Sequence, residues 1–400
     1  MAEWKECIIG ELCNTISDTY KGDDEFVVLV NTSDVLEGKV LNHTTVENKK
    51  LKGQFKKTFK RNDILYSEIR PANKRFAFID FKDTSNYIAS TKLMVLRHND
   101  KVLPEYLFAL LKSNHVIAEL QHLAETRSGT FPQITFSSEL APMRAFLPDK
   151  ETQKRIVSVL SSIERKIEVN LAINDNLLDQ LNQLYAEFST RNEWSEMNIG
   201  DIADKVAMGP FGSNIKVSTF VEYGVPIISG NHLRGYFLEE PSYNYITKEH
   251  ADKLKSSIVY PKDIVFTHAG NIGQVAMIPD GCEFSYYVLS QRQFYLRCNT
   301  ELAVPEYVLL FFHTKKGQHE LLSYANQTGV PSIAQPATNL KKIRLPIPPL
   351  NEQKDWLSVV SPIITMYQNN YQETKRLAAL RDTLLPKLMS GEIDISSIDL

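Results

Sequence analysis

The chain has 400 residues, of which 43% are hydrophobic and 23% charged, and its formal net charge at pH 7 is -3. This composition is ordinary for a globular protein, and it excludes collagen-like, low-complexity and strongly cationic classes. There is no uninterrupted apolar stretch of about 18 residues and no basic N-terminal segment followed by an apolar run, so we expect a cytosolic protein without a membrane segment. The four cysteines (Cys7, Cys13, Cys282 and Cys298) lack zinc-ligand spacing and are expected to be reduced thiols.

The first half of the chain predicts strands followed by a helix. Short runs rich in β-branched, aromatic and other apolar residues predict strands at 26–30, 64–66, 76–80 and 93–96. A helix should follow Pro104, because proline suits the first helical position and the apolar spacing after it is helical. Between the first two strands, a basic window without an acidic residue contains Lys49, Lys50, Lys52, Lys56, Lys57, Lys60 and Arg61. Such a window indicates either a phosphate-binding face or a solvated surface.

The second half repeats this plan at an offset of about 200 residues. Strands are predicted at 225–229, 264–267, 274–278 and 293–297, and a helix after Pro305. The repeated segments are 4–6 and 194–196, 63–65 and 263–265, 104–106 and 305–307, 128–129 and 328–329, and 153–154 and 353–354. A period this long indicates a duplicated domain rather than a solenoid, whose repeats span about 20 to 50 residues.

Each half closes with a long amphipathic helix whose seam advances in alternating steps of four and three residues. The seam positions are Ile156, Leu160, Ile163, Ile167, Asn170, Asn174, Leu177, Leu181, Leu184 and Phe188, and then Trp356, Val360, Ile363, Tyr367, Asn370, Thr374, Leu377, Arg381, Leu384 and Leu388. This heptad pattern predicts a coiled coil, and polar residues at matched central positions are a device that fixes register. The alternative is an amphipathic helix packed on a globular core.

Specific residues predict where the second helix begins and ends. Asn351 is a good N-cap, so we expect the helix to begin there. Pro362 should kink or restart the helix, because an internal proline costs roughly 3 kcal/mol. Pro386 and Gly391 are typical of a helix terminus.

These elements predict a mixed α/β protein with two similar globular domains joined by a two-helix antiparallel coiled coil. The expected domains are residues 1–148, a first helical spacer at 149–190, a second globular domain at 191–348, and a second helical spacer with a tail at 349–400. Only about five residues, 189–193, separate the first helix from the second globular domain. We therefore expect a dumbbell with a pseudo-two-fold axis, whose helices of about 50 Å act as a ruler between two heads.

Two unlike heads on a spacer suit a bipartite, asymmetric duplex DNA target whose half-sites lie about one turn, roughly 34 Å, apart. The shared positions belong to the framework, whereas the loops of the two copies differ. The second copy lacks the basic window and offers instead the loops 209–214 and 229–234, which are rich in Gly, Asn and Ser. Glycine allows close approach, and these polar side chains supply donors and acceptors for base edges.

The chain resembles the specificity subunits of type I restriction-modification enzymes over essentially its full length. The segments that support the resemblance are 345–353, 209–213, 63–71 and 384–391, in the order set by the duplication. Residues 147–153 depart from the pattern by lacking a double proline and a Glu-Gln pair. The resemblance implies two target-recognition domains in a non-catalytic subunit that recruits two methylation subunits and two restriction subunits. It implies that this chain binds no cofactor, whereas those partners use S-adenosylmethionine, ATP and Mg²⁺.

Catalytic motifs are absent from the sequence. There is no GxxxxGK[ST] phosphate loop, no Asn/Asp-Pro-Pro-aromatic methyltransferase motif and no HExxH. Asp80 and Asp83, or Glu68 beside Arg70, offer an alternative as a metal nuclease site. We expect no catalytic residue and no metal.

Candidate DNA contacts follow from residue chemistry on predicted loops, because Arg matches guanine, Asn and Gln match adenine, and Lys serves mainly phosphate. In the first domain they are Ser67, Arg70, Asn73, Lys74, Arg75, Lys92, Arg127 and Thr130, with Lys56, Lys57, Lys60 and Arg61 on phosphates. In the second they are Ser213, Asn214, Lys216, Asn231, His232, Arg234, His268, Asn271, Gln291, Arg292, Asn326, Gln327 and Thr328. The alternative for each is an exposed polar loop residue, and His232 and His268 could equally be structural histidines.

Two rival functions remain open at this point. One is a coiled-coil assembly adaptor that spaces two protein partners without binding DNA. The other is a subunit of a fused or single-strand-targeting methylation system. Salt-dependent binding to duplex DNA separates the DNA reader from the adaptor, because only phosphate neutralisation releases counterions.

Overall fold

The structure, a computed structural model, describes residues 4–49, 53–127, 131–191, 193–326 and 329–395. Contacts divide the chain into two compact units. Unit 1 consists of Met1–Leu171 together with Tyr371–Leu400, and unit 2 is Ala172–Asn370. Each unit therefore combines one globular head with parts of both long helices.

Unit 1 contains two sheets, with strand orders β2-β11-β8-β9 and β6-β3-β10-β7. Its strands are β1 (Lys5–Ile8), β2 (Cys13–Ile16), β3 (Phe26–Val30), β4 (Val35–Leu36), β5 (Lys39–Val40), β6 (Thr45–Glu47), β7 (Phe55–Lys57), β8 (Ile64–Ser67), β9 (Phe76–Phe78), β10 (Tyr87–Ser90), β11 (Leu93–His98) and β12 (Arg144–Leu147). The helices that follow are α1 (Pro104–Leu111), α2 (Asn114–Arg127) and α3 (Lys150–Thr190). The first sheet is antiparallel throughout, whereas β3 and β10 of the second sheet pair in parallel.

Unit 2 repeats this topology with sheets ordered β14-β21-β18-β19 and β16-β15-β20-β17. Its strands are β13 (Glu196–Asn198), β14 (Ala203–Met208), β15 (Val225–Ile228), β16 (Asn244–Ile246), β17 (Ile258–Val259), β18 (Ile264–Thr267), β19 (Val275–Met277), β20 (Tyr287–Leu289), β21 (Gln293–Cys298), β22 (Ala325–Asn326), β23 (Ser332–Ile333) and β24 (Arg344–Pro346). Its helices are α4 (Lys248–Lys253), α5 (Pro305–His313), α6 (Lys315–Leu322), α7 (Pro336–Leu340) and α8 (Leu350–Ser390). Here β15 and β20 are the parallel pair.

Successive side chains of the central strands point to opposite faces of the sheet, and they divide the core of each globular head into two layers. In unit 1, Ile64 and Tyr66 of β8 face a core that includes α1, α2 and the long helices. Leu65, between them, faces the second sheet, where it meets Val28 and Ala89. Unit 2 has the same arrangement, since Ile264 and Phe266 join the helical core and Val265 joins the core between the sheets.

The predicted fold class is confirmed, and the predicted strands correspond to observed ones with ends that shift by up to two residues. Pro104 and Pro305 are the first residues of α1 and α5, as the sequence indicates. The exact ends differ because they depend on cross-strand pairing, which local sequence patterns do not contain.

Within each unit the long helices pack antiparallel through the predicted seam. In unit 1, Ile156 and Leu160 share a core with Leu385 and Leu388. In unit 2, the matching core contains Leu181, Phe188, Trp356 and Val360. The outer parts of both helices therefore belong to the cores of the heads, so seam packing and packing on a globular core occur together.

The polar centre of the seam is partly hydrogen-bonded, since among the described residues Oδ1 of Asn170 and the hydroxyl of Thr374 are buried without a partner. In unit 2, the Asn370 amide donates to Oδ1 of Asn174 at 3.0 Å, and the Asn174 amide donates to the carbonyl oxygen of Tyr367 at 3.1 Å. In unit 1, the buried Asn170 donates to Glu373 at 2.8 Å, and Lys166 pairs with the same carboxylate. The hydrogen bonds of Glu373 with Asn170 and Lys166 lower the pKa of this carboxyl.

The predictions for the ends and the interior of α8 were partly wrong. The helix begins at Leu350, one residue from the predicted start at about Asn351, but Asn351 is not its N-cap, because the Pro349 carbonyl already accepts the amide of Gln353. No restart occurs at Pro362, whose ring lies on the exposed side, where water can solvate the carbonyl left without a partner.

The C-terminal end of α8 also differs from the prediction at one of its two residues. Pro386 lies inside the helix, since the next turn is held by Leu388 and Met389 in the unit 1 core. Gly391 follows the last helical residue with a φ of 75°, which confirms it as the terminator. A Cβ at Gly391 would approach the indole of Trp4 to 2.6 Å, so the two ends of unit 1 meet closely.

No helix in the described part of the chain combines the length and apolar character needed to cross a bilayer. The four cysteines are free, and burial raises the pKa of the Cys13 thiol to about 12.

Candidate nucleic-acid interface

Three segments of unit 1 converge where strand β8 ends. They are the loop 68–75 that leads to β9, the turn 91–92 before β11, and the segment 131–135. The amide of Glu68 donates to the carbonyl of Lys92 at 3.0 Å, and the amide of Ile134 donates to the carbonyl of Glu68 at 2.8 Å. We call these three segments the unit 1 loop cluster. It brings together the candidates Arg70, Asn73, Lys74 and Lys92.

Arg70 and Lys74 have left-handed backbone conformations, with φ values of 45° and 53°. Such a conformation costs an ordinary residue roughly 1 to 2 kcal/mol relative to the right-handed region. Arg70 is exposed, and its amide donates to the carbonyl of Pro132 at 3.2 Å. Strain of this kind at an exposed basic residue is a feature typical of functional sites.

Lys92 is engaged within the protein. Its ammonium group donates to Oε1 of Gln133 at 3.1 Å and lies 3.7 Å from the Glu68 carboxylate. Sequence reasoning missed both partners, because Gln133 is 41 residues away and only the pairing of Ile69 with Gln133 brings it to the cluster. Glu68 and Gln133 therefore hold Lys92 in place beside the loop.

Lys57 lies beneath the same turn. Its ammonium group donates to the carbonyl oxygens of Thr91 and Leu93 at 3.1 and 2.8 Å, and burial lowers its pKa. Two of its three donors are thus used by the backbone. This geometry supports a role in holding the turn rather than the phosphate contact that we expected from the basic window.

Other unit 1 candidates also make internal contacts. Ser67 is buried and accepts the amide of Ile69 at 3.0 Å. The Arg75 guanidinium donates to the carbonyl oxygens of Ser33 and Val35, at 2.9 and 3.3 Å. Arg127 donates to both carboxylate oxygens of Glu139, at 3.0 and 3.1 Å. These contacts position the loops and leave few donors for DNA.

The exposed basic candidates differ in how close they lie to the unit 1 loop cluster. Lys56 is close to the cluster, since its strand β7 pairs with β10 and the carbonyl of Gln54 accepts the amide of Thr91 at 2.7 Å. Lys60 and Arg61 precede β8 and so lie at the end of that strand opposite the cluster. Lys56 is therefore better placed than either for a phosphate beside the unit 1 loop cluster.

Unit 2 has an equivalent loop cluster formed by residues 268–274, 290–292 and 329–333. The amide of His268 donates to the carbonyl of Arg292 at 2.9 Å, and the amide of Ile333 donates to the carbonyl of His268 at 2.8 Å. Asn271 and Arg292 are exposed on this cluster. Asn231 also lies near, because a Cβ on the adjacent Gly230 would be 3.1 Å from Oε1 of Gln274.

Gln291 connects the unit 2 cluster to the glycine-rich loop 209–215. Its amide donates to the carbonyl oxygens of Gly212 and Ile215, the latter at 3.0 Å. His268 is half-buried, burial lowers its pKa, and its Nε2 contacts the carbonyl of Gln291 at 3.1 Å. The neutral imidazole therefore donates to the backbone, and both side chains hold the cluster together.

His232 and Arg234 are placed away from the cluster's surface. His232 is only 3% exposed; its Nδ1 contacts Ser229 at 3.0 Å and its Nε2 the carbonyl of Ser242 at 2.9 Å. These contacts favour the structural reading of this histidine. Arg234 is exposed next to Gly235, where a Cβ would be 3.4 Å from the Tyr367 hydroxyl, so it lies towards α8.

The glycine-rich loop serves packing at one end and exposure at the other. A Cβ on Gly209 would lie 2.0 Å from the carbonyl oxygen of Ser290, so this glycine permits close backbone packing. Asn214 and Lys216 are exposed beyond it. Phe211, which lies in this loop but was not among the candidate contacts, is 71% exposed.

Several candidates escape a structural description. Thr130, Gln327 and Thr328 lie outside the described residues, as does the side chain of Ser213, while Asn326 is exposed at the end of β22.

Across the described ranges, no group of three His, Cys, Asp or Glu side chains has a metal-binding arrangement. Glu68 faces Lys92, and Asp83 accepts from Ser85 at 2.8 Å.

Comparison with protein families gives a match over both halves of the chain. A family model described as type I restriction modification DNA specificity domain matches residues 1–179 and 191–379. The two matched segments correspond to the duplicated plan, each with a head and a long helix.

Curated relatives include two specificity subunits. The type I restriction enzyme HindI specificity subunit of Haemophilus influenzae is 47% identical over 180 residues, which cover 44% of this chain and 39% of that protein. The MjaIX specificity subunit of Methanocaldococcus jannaschii is 23% identical over 330 residues, covering 75% of this chain and 71% of that protein. The match to the Haemophilus influenzae protein thus spans less than half of its length.

Among solved structures, the S subunit of a type I restriction-modification system from M. genitalium has a similar fold. Its TM-score is 0.56 at 15% identity, and the alignment covers 97% of this chain and 96% of that one. At this identity the similarity concerns the fold alone.

Proposed function

Since this chain belongs to the family of type I restriction modification DNA specificity domains, we propose that it is the specificity subunit of a type I restriction-modification system. In this role each unit reads one half of a bipartite, asymmetric duplex DNA target. The observation that supports it best is the pair of loop clusters, which occupy the same place on two copies of one framework but present different side chains.

The chemistry of the clusters suits base recognition. Exposed Arg, Asn and Lys side chains surround short loops whose backbones are fixed by cross-segment hydrogen bonds. Rigid loops reduce the conformational entropy that DNA binding would otherwise remove, and Arg and Asn can each form two hydrogen bonds to one base. Different side chains on the two copies would select different half-sites.

The subunit is proposed to be non-catalytic and to bind no cofactor itself. Two methylation subunits and, in the restricting complex, two restriction subunits would supply the chemistry with S-adenosylmethionine, ATP and Mg²⁺. The proposed domain limits are 1–148 and 191–348 for the target-recognition domains, with the helical spacers at 149–190 and 349–400. The site of action is proposed to be the cytoplasm.

Mapping adenine methylation in the host genome tests the proposal. The host with the gene should carry methylation at one two-part, asymmetric sequence, and deletion of the gene should remove methylation at that sequence alone. Exchange of the unit 2 loops 268–274 and 290–292 for those of a relative should change one half of the sequence and leave the other half intact. Unchanged methylation after deletion would contradict the proposal.

Duplex binding by the purified full chain separates this function from that of a protein adaptor. We expect the logarithm of the binding constant to fall linearly with the logarithm of salt concentration, because phosphate contacts release counterions. An adaptor without a DNA site would show no saturable binding to duplex at any salt concentration.

A further inference from the structure

The loop clusters of the two units can be matched position by position. Strands β8 and β11 pair with Ser67 opposite Leu93, and β18 and β21 pair with Thr267 opposite Gln293. Lys92 and Arg292, one residue before β11 and β21, are therefore equivalent. Arg70 is equivalent to Gly270, since their amides donate to the carbonyls of Pro132 and Pro331.

The backbone at this position is left-handed in both units. Arg70 has a φ of 45° and Gly270 a φ of 87°. The same holds on the other side of the loop, where Lys74 has a φ of 53° and its equivalent Gly273 a φ of 88°. The backbone at both loop positions thus has a conformation that glycine adopts freely. Unit 1 nevertheless has basic residues at these two positions, at a cost in stability.

At the position shared by Lys92 and Arg292, the partners of the unit 1 side chain are missing from unit 2. Lys92 is held by Gln133 and Glu68 inside unit 1. In unit 2, His268 stands at the Glu68 position and Ser332 at the Gln133 position, so both partners of the cation are lost. Within the described residues, no carboxylate lies within ion-pair distance of Arg292, which is exposed.

The Arg292 guanidinium also lies next to the position equivalent to Arg70. A Cβ built on Gly270 would be 3.4 Å from Nη1 of Arg292. Because Gly270 has no side chain, the space over the loop is open to Arg292. In unit 1 the equivalent residue is Arg70, whose own side chain starts at this point.

We infer that each unit presents one guanine-reading arginine over the same loop, Arg70 in unit 1 and Arg292 in unit 2, supplied from two different positions of the duplicated chain. The inference rests on the proposed DNA-reading function and assigns the base and the residue. An arginine recognises guanine through two parallel hydrogen bonds to O6 and N7 in the major groove.

The test is selection by the purified full chain from duplexes with a randomised central region. Wild type should enrich a two-part sequence with a required guanine in each half. Arg70→Ala should lose the guanine preference at one position of one half, with discrimination falling roughly 10- to 100-fold, and Arg292→Ala should do so in the other half. Replacing that guanine by 7-deazaguanine should weaken wild type and leave the matching variant unaffected.

Three outcomes would overturn the assignment. Equal loss on all sequences from either variant would identify a phosphate contact, and loss at the same position from both would exclude separate half-sites. Unchanged preferences in both variants would show that these arginines read no base. If wild type itself enriches no sequence, the proposed function fails, and this result is distinct from all three.

The melting temperature provides a second readout, which separates an Arg70 that reads a base from an Arg70 that supports the fold. Arg70→Gly should lose the same preference as Arg70→Ala but melt ~2 to 4 °C above it, because glycine relieves the left-handed strain. Asn62→Gly is the control, since Asn62 also has a positive φ, of 70°, but at the opposite end of β8. It should leave every base preference unchanged. If Arg70→Gly melts below wild type, the side chain supports the fold and the inference is wrong.

Discussion

The guanidinium of Arg297 donates two hydrogen bonds to the carboxylate of Asp263, at 2.8 and 2.6 Å. Arg97 and Asp63 form the same pair in unit 1, with both distances 2.7 Å. These bonds raise the pKa of each guanidinium, so the arginines remain charged. The pair ties β18 to β21, and β8 to β11, at the strand ends opposite the loop clusters. It thereby anchors the strands from which the clusters extend.

Arg297→Met should destabilise unit 2 by about 3 kcal/mol, because it leaves the buried carboxylate of Asp263, which is 1% exposed, without the guanidinium that donates to it. Urea unfolding followed by tryptophan fluorescence would measure the change. Arg344→Met is the matched control: Arg344 pairs with Glu196 at the surface, and exposed pairs contribute about 1 kcal/mol or less. Equal losses in the two variants would contradict the anchoring role.

Lys56 and Lys57 should behave differently although they are adjacent. Lys56→Ala should weaken binding to all duplexes alike and reduce the salt slope by about 1, as expected for one phosphate contact. Lys57→Met should instead lower stability, because the carbonyls of Thr91 and Leu93 lose their donor. Lys82→Ala, at an exposed site beyond β9, should change neither quantity. A reduced salt slope for Lys57→Met without a loss of stability would show that the turn does not need it.

The amides at the centre of the seam should be energetically coupled. Asn370→Leu alone should cost about 1 to 2 kcal/mol, because it leaves the side-chain oxygen of the buried Asn174 without its donor. The double variant with Asn174→Leu should recover this loss, since both polar groups are then removed. A double-mutant cycle of unfolding free energies measures the coupling. Additive effects would mean that the hydrogen bond between the two side chains contributes nothing.

His313 should make unit 2 sensitive to acid. Its ring packs on Tyr236 with centroids 3.6 Å apart, and burial lowers its pKa to about 4. Below its ordinary pKa of about 6.5 the unfolded chain binds a proton that the folded chain does not accept until about pH 4. The free energy of unfolding should therefore fall as the pH drops from about 6.5 to 4, by up to about 3 kcal/mol.

Urea unfolding at several pH values, followed by fluorescence of the buried Trp356, tests this prediction. His313→Phe should flatten the pH dependence over this range, because the titrating group is gone. His115→Gln should leave it unchanged, since His115 is exposed on α2. A pH profile that His313→Phe does not alter would assign the acid sensitivity to other groups.

The duplication made most of the fold predictable from sequence. Repeats such as Asp63 and Asp263 fixed the equivalence of the units, and the heptad spacing gave both long helices and their polar centre. The arginine partners of these aspartates were not predictable, because they lie 34 residues away and meet them only through cross-strand register. The predictions at Pro362 and Pro386 were wrong for a related reason, because local helix propensity did not decide the structure at either residue. Solvent satisfies the backbone beside Pro362, and core packing holds the turn after Pro386.

The candidate site was predictable by region and less so by residue. Loop chemistry predicted Arg70, Asn271 and Arg292, and these three are exposed on the clusters, while their contact with DNA stays a prediction. It could not separate them from Lys57, Arg75 and Arg127, whose donors are used by carbonyl or carboxylate groups inside unit 1. Residue type alone does not reveal which side chains the backbone and their neighbours already occupy.

The core of unit 1 is completed by residues from both ends of the sequence. Ile156 and Leu160 pack against Leu385 and Leu388, whereas unit 2 is one continuous stretch, Ala172–Asn370. A nascent chain that has grown to Asn370 therefore holds every residue of unit 2 but lacks one wall of unit 1. Unit 1, although its larger part is synthesised before unit 2, can therefore complete its core only after unit 2 has all of its residues.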